Sequence, residues 1–69
     1  MKIKVNGEEI ELNSHKEVPI LSKTLEGIGY KPNSIVVELN NTIVNSKKWG
    51  EVVLKDGDKL EIVSIVGGG

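Results

Sequence analysis

The sequence predicts an α+β fold in which a mixed β-sheet packs on one main helix and a glycine tail follows the last strand. Three observations predict it: apolar residues alternate with period two near both ends of the chain, a helical period separates these segments, and the chain finishes Gly67-Gly68-Gly69. We therefore expect one folded domain over residues 1–66 and a flexible tail over residues 67–69.

The first element is predicted to be a β-hairpin. Residues 2–5 and 9–12 each alternate polar and apolar side chains, and Asn6-Gly7 between them is the pair favoured in two-residue type I′ turns. The side chains expected on the inner face of this hairpin are Ile3, Val5, Ile10 and Leu12.

A helix is predicted next. Its expected buried face follows a spacing of three and four residues, its first turn holds Pro19, and Gly27 and Gly29 are suited to its end. The residues of this face are Val18, Leu21, Leu25 and Ile28.

The second half of the chain predicts three more strands. Strands are expected over residues 35–39, 42–44 and 59–66, with Asn40-Asn41 as a turn between the first two. The last strand is expected to enter the sheet centre parallel to the first, because the intervening segment is long enough for the crossover that parallel pairing needs. The connections contain Trp49, expected beneath the sheet edge, a brief extended piece at residues 52–54, and a tight turn at Asp56-Gly57-Asp58.

Composition excludes several classes of protein. The 69 residues suffice for one small domain, and the absence of cysteine leaves its stability to apolar residues, which make up 38% of the chain. Nine Lys, no Arg and ten acids give a net charge of −1, so the basic stripe and Arg side chains of nucleic-acid binders are missing. No apolar run is long enough to span a bilayer, and no signal peptide is visible. We expect a cytoplasmic protein without nucleic-acid or membrane partners.

No group of side chains predicts catalysis by this chain alone. His15 is the single histidine and is expected to be an exposed loop residue. Asp56 and Asp58 are too few to hold calcium, which needs six to eight oxygen ligands, so they are expected to be solvated turn residues and no metal site is predicted. A base with its orienting group is missing for four of the serines, which are Ser14, Ser34, Ser46 and Ser64.

The glycine tail is the remaining place for chemistry. Glycines accept almost any backbone conformation, and three extended residues reach roughly 10 Å beyond the last strand. Gly67 and Gly68 are therefore suited to threading a narrow channel of another protein, with the carboxylate of Gly69 as the reacting group. The competing explanation is a frayed or appended chain end.

A docking surface is predicted beside the tail. In the last strand, alternation places Glu61, Val63 and Ile65 on the face opposite the core, and Val36 is expected on the same face of the neighbouring strand. An apolar cluster on the solvent side of a small sheet often marks a partner site, although scattered surface valines are also common. Lys47 and Lys48 are expected to be solvated.

The whole chain resembles the ThiS family, the small sulfur carriers of thiamine biosynthesis. The resemblance is carried by residues 2–7 (Lys-Ile-Lys-Val-Asn-Gly), Val37-Glu38-Leu39-Asn40, the Trp49 connector, and residues 56–63 running into the glycine end. It implies a ubiquitin-like β-grasp fold. It also implies that Gly69 is the residue that carries sulfur.

The resemblance further implies the partners and the order of steps. A ubiquitin-activating-like adenylyltransferase uses ATP and magnesium to adenylate Gly69, so the chain itself binds no cofactor. A cysteine desulfurase persulfide, directly or through a sulfur relay protein, displaces AMP to leave a thiocarboxylate. Thiazole synthase then takes that sulfur. The chain is expected to act as a protein cosubstrate and not as an enzyme.

Three further functions remain open on the sequence alone. The small subunit of molybdopterin synthase has the same fold and glycine end, although it is usually longer and approaches its glycines through aromatic and proline residues, which Val63-Ser64-Ile65-Val66 lacks. A ubiquitin-like modifier, or a carrier for tRNA thiolation or cysteine synthesis, shares the activation chemistry. A pure binding or RNA-associated module is disfavoured by the balanced, Arg-free composition.

Overall fold

The computed structural model describes residues 1–13 and 17–65, which form a five-stranded mixed sheet with one α-helix. The strand order is β2-β1-β5-β3-β4, the ubiquitin-like β-grasp arrangement that the sequence predicts. No helix in these described ranges is long and apolar enough to cross a membrane. The elements are β1 Lys2–Val5, β2 Glu8–Glu11, α1 Leu21–Ile28, β3 Ile35–Leu39, β4 Thr42–Val44 and β5 Lys59–Ser64, with 3₁₀ turns at Pro32–Ser34 and Ser46–Glu51.

Both hairpins close through two-residue turns with left-handed backbone. Asn6 and Gly7 have φ of 50° and 84°, and Asn40 and Asn41 have φ of 50° and 72°. Type I′ turns need positive φ at both central residues, a conformation that Gly and Asn adopt most readily. The two predicted turns are confirmed, and β2 begins one residue earlier than expected, at Glu8.

Strand β5 lies in the centre of the sheet, as predicted. It pairs in parallel with β1, where Val5 is level with Leu60. It pairs antiparallel with β3 over five residue pairs, from Ile35 and Ser64 to Leu39 and Leu60. The strand that leads towards the glycine tail is therefore held from both sides.

The predicted start of the helix is wrong. The helix begins at Leu21, and Val18, which the sequence predicts on its buried face, is 59% exposed. The residues before Leu21 pair instead with the segment at 52–54: Ile20 forms a bridge with Val53, and the Leu54 N–H donates to the Pro19 carbonyl over 2.8 Å. The N-cap residue Ile20 makes no side-chain hydrogen bond to the helix, and the Leu21 N–H, one of the first four of the helix, donates instead to the Val52 carbonyl.

The core lies between the helix and one face of the sheet. Leu21 and Leu25 of the helix pack against inward-facing side chains of β1, β3 and β5. Trp49 is 3% exposed and its Nε1–H donates to the Val44 carbonyl over 2.9 Å, which confirms its predicted place beneath the sheet edge. The buried residues are Ile3, Val5, Leu21, Leu25, Ile35, Val37, Trp49, Leu54, Leu60 and Ile62.

Asn6 has a second role that the sequence does not reveal. Its side-chain Nδ2 donates to the Ile62 carbonyl over 3.2 Å, and its Oδ1 accepts from the Ile62 N–H over 2.7 Å. The Asn6 backbone N–H also donates to the Leu60 carbonyl. The side-chain amide of Asn6 therefore continues the pairing with β5 past the end of β1, and makes the hydrogen bonds that the backbone of a further strand residue would make.

Replacing Asn6 with glycine is expected to lower the free energy of unfolding by about 1–3 kcal/mol, because it leaves the Ile62 N–H and carbonyl without partners. Glycine keeps the positive φ that the turn needs. The matched control is Asn41→Gly, at a second positive-φ position in an exposed turn, which should change stability much less. Chemical denaturation of both variants measures the difference; equal effects would contradict the assigned role of the Asn6 side chain.

Candidate functional site

The candidate site is the outer face of the sheet, opposite the core, where β5 runs towards the chain end. The predicted reacting and threading residues, Gly67 to Gly69, lie outside the described residues, as do Ser14 and His15. Their predicted roles stay predictions. The described part of the site is the surface from which that tail continues.

Val36 and Val63 lie side by side on this face. They are paired in the antiparallel register between β3 and β5, and they are 38% and 59% exposed. Their neighbours Val37 and Ile62 point inward and are 0% and 7% exposed. The alternation that the sequence predicts for β5 therefore holds from Lys59 to Val63, and Val63 is available to a partner.

Ile65 follows the end of β5 and is 53% exposed. Its N–H donates to the Ser34 carbonyl over 2.7 Å, which continues the hydrogen-bonding pattern of the β3–β5 pair beyond Ser64. The register of this pair has no bulge, so alternation keeps Ile65 on the side of Val63. The three predicted docking residues thus share one surface, although docking itself stays a prediction.

The sequence prediction missed Ile43. This residue lies on β4 directly opposite Glu38 and is 67% exposed, more than any other large hydrophobic residue in the described part of the chain. A shallow groove of about 250 Å³ runs between Val36, Ile43 and Trp49. Alternation within β4, with Val44 facing inward, is the signal that places Ile43 outward. We call Val36, Ile43, Val63 and Ile65 the apolar patch.

Charged side chains flank the apolar patch on the outer face. Glu38 and Glu61 are directly opposite each other in the β3–β5 register, and Glu38 is half-buried. Farther from the tail, Lys4 and Lys59 are neighbours in the parallel β1–β5 register. The face therefore runs from apolar residues beside the tail, through a pair of acids, to a pair of lysines.

Asp56 and Asp58 are more than solvated turn residues. Asp56 Oδ1 accepts from the Lys2 N–H over 2.7 Å, and Asp58 Oδ2 accepts from the Lys55 N–H over 2.8 Å. Asp58 Oδ1 also accepts from Asn40 Nδ2 over 3.0 Å. The two carboxylates thus hold the turn before β5 in place. Within residues 1–13 and 17–65, no three acidic or histidine side chains are grouped so as to hold a metal ion.

Comparison with known proteins identifies relatives across the whole chain. Residues 3–69 match the model of the ThiS family, so the match includes the three glycines. A sulfur carrier protein ThiS from Bacillus subtilis is 30% identical over 67 residues, which cover 97% of this chain and 98% of that protein. The family match favours a sulfur carrier over the small subunit of molybdopterin synthase, a ubiquitin-like modifier and a pure binding module.

Longer proteins also contain a region similar to this chain. A thiazole synthase from Magnetococcus marinus is 36% identical over all 69 residues, and the matched region is 20% of its length. The chain spans one fifth of the thiazole synthases that it matches.

The fold has a close counterpart among solved structures. The crystal structure of a thiamine biosynthesis protein (ThiS) from Geobacter metallireducens superposes with a TM-score of 0.82 at 26% identity, covering 100% of both chains. The fold of these residues is thus one already known to occur in a thiamine biosynthesis protein.

Proposed function

The chain belongs to the ThiS family, and we propose that it is a sulfur carrier of thiamine biosynthesis that holds sulfur as a thiocarboxylate on Gly69. The observation that supports this proposal most strongly is the family match, which runs through Gly69 at the end of the chain. A central strand fixed on both sides is a rigid base for such a tail, since β5 pairs with both β1 and β3.

The proposed chemistry takes place at the terminal carboxylate. A carboxylate is a poor electrophile until one oxygen becomes part of a good leaving group. In the first step a carboxylate oxygen of Gly69 attacks the α-phosphorus of ATP, and pyrophosphate leaves. In the second, the outer sulfur of a protein persulfide attacks the acyl carbon and AMP leaves. A further thiol then cleaves the acyl disulfide, forming a disulfide with the donor and releasing the thiocarboxylate.

Glycine residues suit these steps because they have no side chain to obstruct an enclosing channel. The described residues hold no buried polar or charged side chain, and no acid or histidine cluster for a metal. Following the resemblance to the ThiS family, we propose that ATP and magnesium bind to a separate ubiquitin-activating-like adenylyltransferase. In this scheme the chain is a cosubstrate of other enzymes and not an enzyme itself.

We propose that the apolar patch docks the chain onto these enzymes. Val36, Val63 and Ile65 lie beside the start of the tail, so a protein that contacts them is placed to receive Gly67 to Gly69. Thiazole synthase is the proposed recipient of the sulfur, in keeping with the region similar to this chain within proteins of that name. A cysteine desulfurase or a sulfur relay protein is the proposed donor.

Intact mass spectrometry tests the proposal. The chain is incubated with the adenylyltransferase encoded in the same genome, ATP, magnesium, a cysteine desulfurase and cysteine. We expect the mass gain of one oxygen-to-sulfur exchange, located at Gly69 by fragmentation, and no gain when ATP is omitted. Adding thiazole synthase with its other substrates should return the chain to its original mass. Absence of any gain with an adenylyltransferase that loads a known ThiS protein would contradict the proposal.

A further inference from the structure

The opposed acids Glu38 and Glu61 are the least expected feature of the outer sheet face. They face each other across the β3–β5 pair, inside its five-residue register. Directly opposite residues in an antiparallel pair have Cβ atoms about 4.5–5.5 Å apart, and like charges at that separation are destabilising. Glu38 is half-buried, so solvent screens its charge only in part.

Neither acid is neutralised within the described part of the chain. The ion pairs among those residues lie elsewhere: the N-terminal amine with Glu11, Lys2 with Glu9, and Lys48 with Glu51. Lys59 lies two residues from Glu61 along β5, beside Lys4, but forms no ion pair with either acid. The described part of the chain therefore keeps two unpaired negative charges opposite each other on neighbouring strands.

The surroundings of the acid pair indicate what would neutralise it. Val36 and Val63 lie on the tail side of the pair, and Ile43 borders Glu38 on β4. A protein that covers these apolar residues also removes water from the two carboxylates, and buried charges are stable only when they are paired. An arginine suits this position, because its planar guanidinium has five N–H donors and can contact two neighbouring carboxylates together.

We propose that Glu38 and Glu61 together bind an arginine side chain of the adenylyltransferase, and that this contact selects the partner while the apolar patch supplies the buried area. The inference rests on the proposed function, since it names the chemistry of the partner that activates Gly69. Beyond the two acids, the same face carries the positive charges of Lys4 and Lys59. That arrangement fixes one orientation of the partner, with its channel towards the tail.

Stability and binding should change in opposite directions when the acid pair is altered. Glu61→Lys converts the repulsion into a cross-strand ion pair with Glu38, so the melting temperature should stay the same or rise. Affinity for the purified adenylyltransferase, measured by calorimetric titration, should fall by about tenfold or more. The double variant Glu38→Gln/Glu61→Gln should also bind weakly, and its affinity should depend less on salt concentration than that of the wild type.

The matched control is Glu8→Gln/Glu26→Gln, which makes the same change in net charge at exposed positions on β2 and the helix. It should bind as the wild type does. Wild-type affinity and salt dependence in the Glu38→Gln/Glu61→Gln variant would overturn the inference, as would a large drop in melting temperature for Glu61→Lys. If either result is found while the wild-type chain still acquires sulfur, the acid-pair inference is wrong but the proposed function is unaffected. If the wild-type chain acquires no sulfur, the proposed function and the inference are both wrong.

Discussion

Deleting Gly69 is expected to abolish sulfur loading while the free energy of unfolding stays nearly unchanged. All described core residues lie between Ile3 and Ile62, so the deletion removes none of these side chains. It does withdraw the carboxylate by about 3.3–3.6 Å, the length of one extended residue. Misplacing a reacting group by even about 1 Å can cost about a hundredfold in rate. Intact mass after incubation with the adenylyltransferase, ATP and a sulfur source measures the loss.

A bulky residue in the tail should also abolish sulfur loading, because it would obstruct entry of the tail into the proposed channel. Gly68→Leu keeps the length of the chain but introduces a side chain where the proposed channel admits only backbone. Gly50→Leu is the matched control, because a Cβ atom added at Gly50 has no neighbour within 4 Å. Only the first variant should lose sulfur loading, and both should melt near the wild-type temperature. If the Gly69 deletion gains sulfur as fast as the wild type, Gly69 is not the acceptor.

The sheet could be predicted from the sequence because its signals are local. Asn6-Gly7 and Asn40-Asn41 specify turns through backbone conformations that few other residues adopt. The period-two pattern of β5 determines which side chains face the core, since each residue points opposite to the one before it. For the same reason, the exposure of Val63 followed directly from the burial of Leu60 and Ile62.

The start of the helix could not be predicted in the same way, because it depends on a distant segment. Val18 and Pro19 fit a helical period, but the chain there pairs with residues 52–54 and enters the helix only at Leu21. The role of Asn6 is also non-local. Asn6 binds the backbone of Ile62, 56 residues away, and a single sequence holds no signal for that contact.

The same distinction between local and non-local signals applies to the candidate site. Alternation placed Val36, Val63 and Ile65 outward, whereas the opposition of Glu38 and Glu61 depends on the register of two strands that are distant in sequence. A shift of one residue in that register would place different side chains opposite each other. The tail prediction rests on residue type and family resemblance, and residues 67–69 lie outside the described structure.

Core and docking residues on β5 should be separable by mutation. Leu60 is 1% exposed, and Leu60→Ala creates a cavity whose typical cost is about 2–5 kcal/mol. A small domain has a total stability of only about 5 kcal/mol or somewhat more, so this variant is expected to melt far below the wild type or to be unfolded at room temperature. Ile62→Ala should behave similarly, because Ile62 is 7% exposed.

Val63→Gln should show the opposite behaviour. Val63 is 59% exposed, and substitutions at such positions usually change stability by no more than about 0.5 kcal/mol. Glutamine adds no charge, so its effect stays separate from that of the acid pair. Loss of an apolar contact at the centre of an interface should weaken binding to the adenylyltransferase by about tenfold or more. Thermal melts beside binding titrations compare the variants: a Val63→Gln chain that unfolds as readily as Ile62→Ala, or that binds as tightly as the wild type, would show that Val63 is not a docking residue.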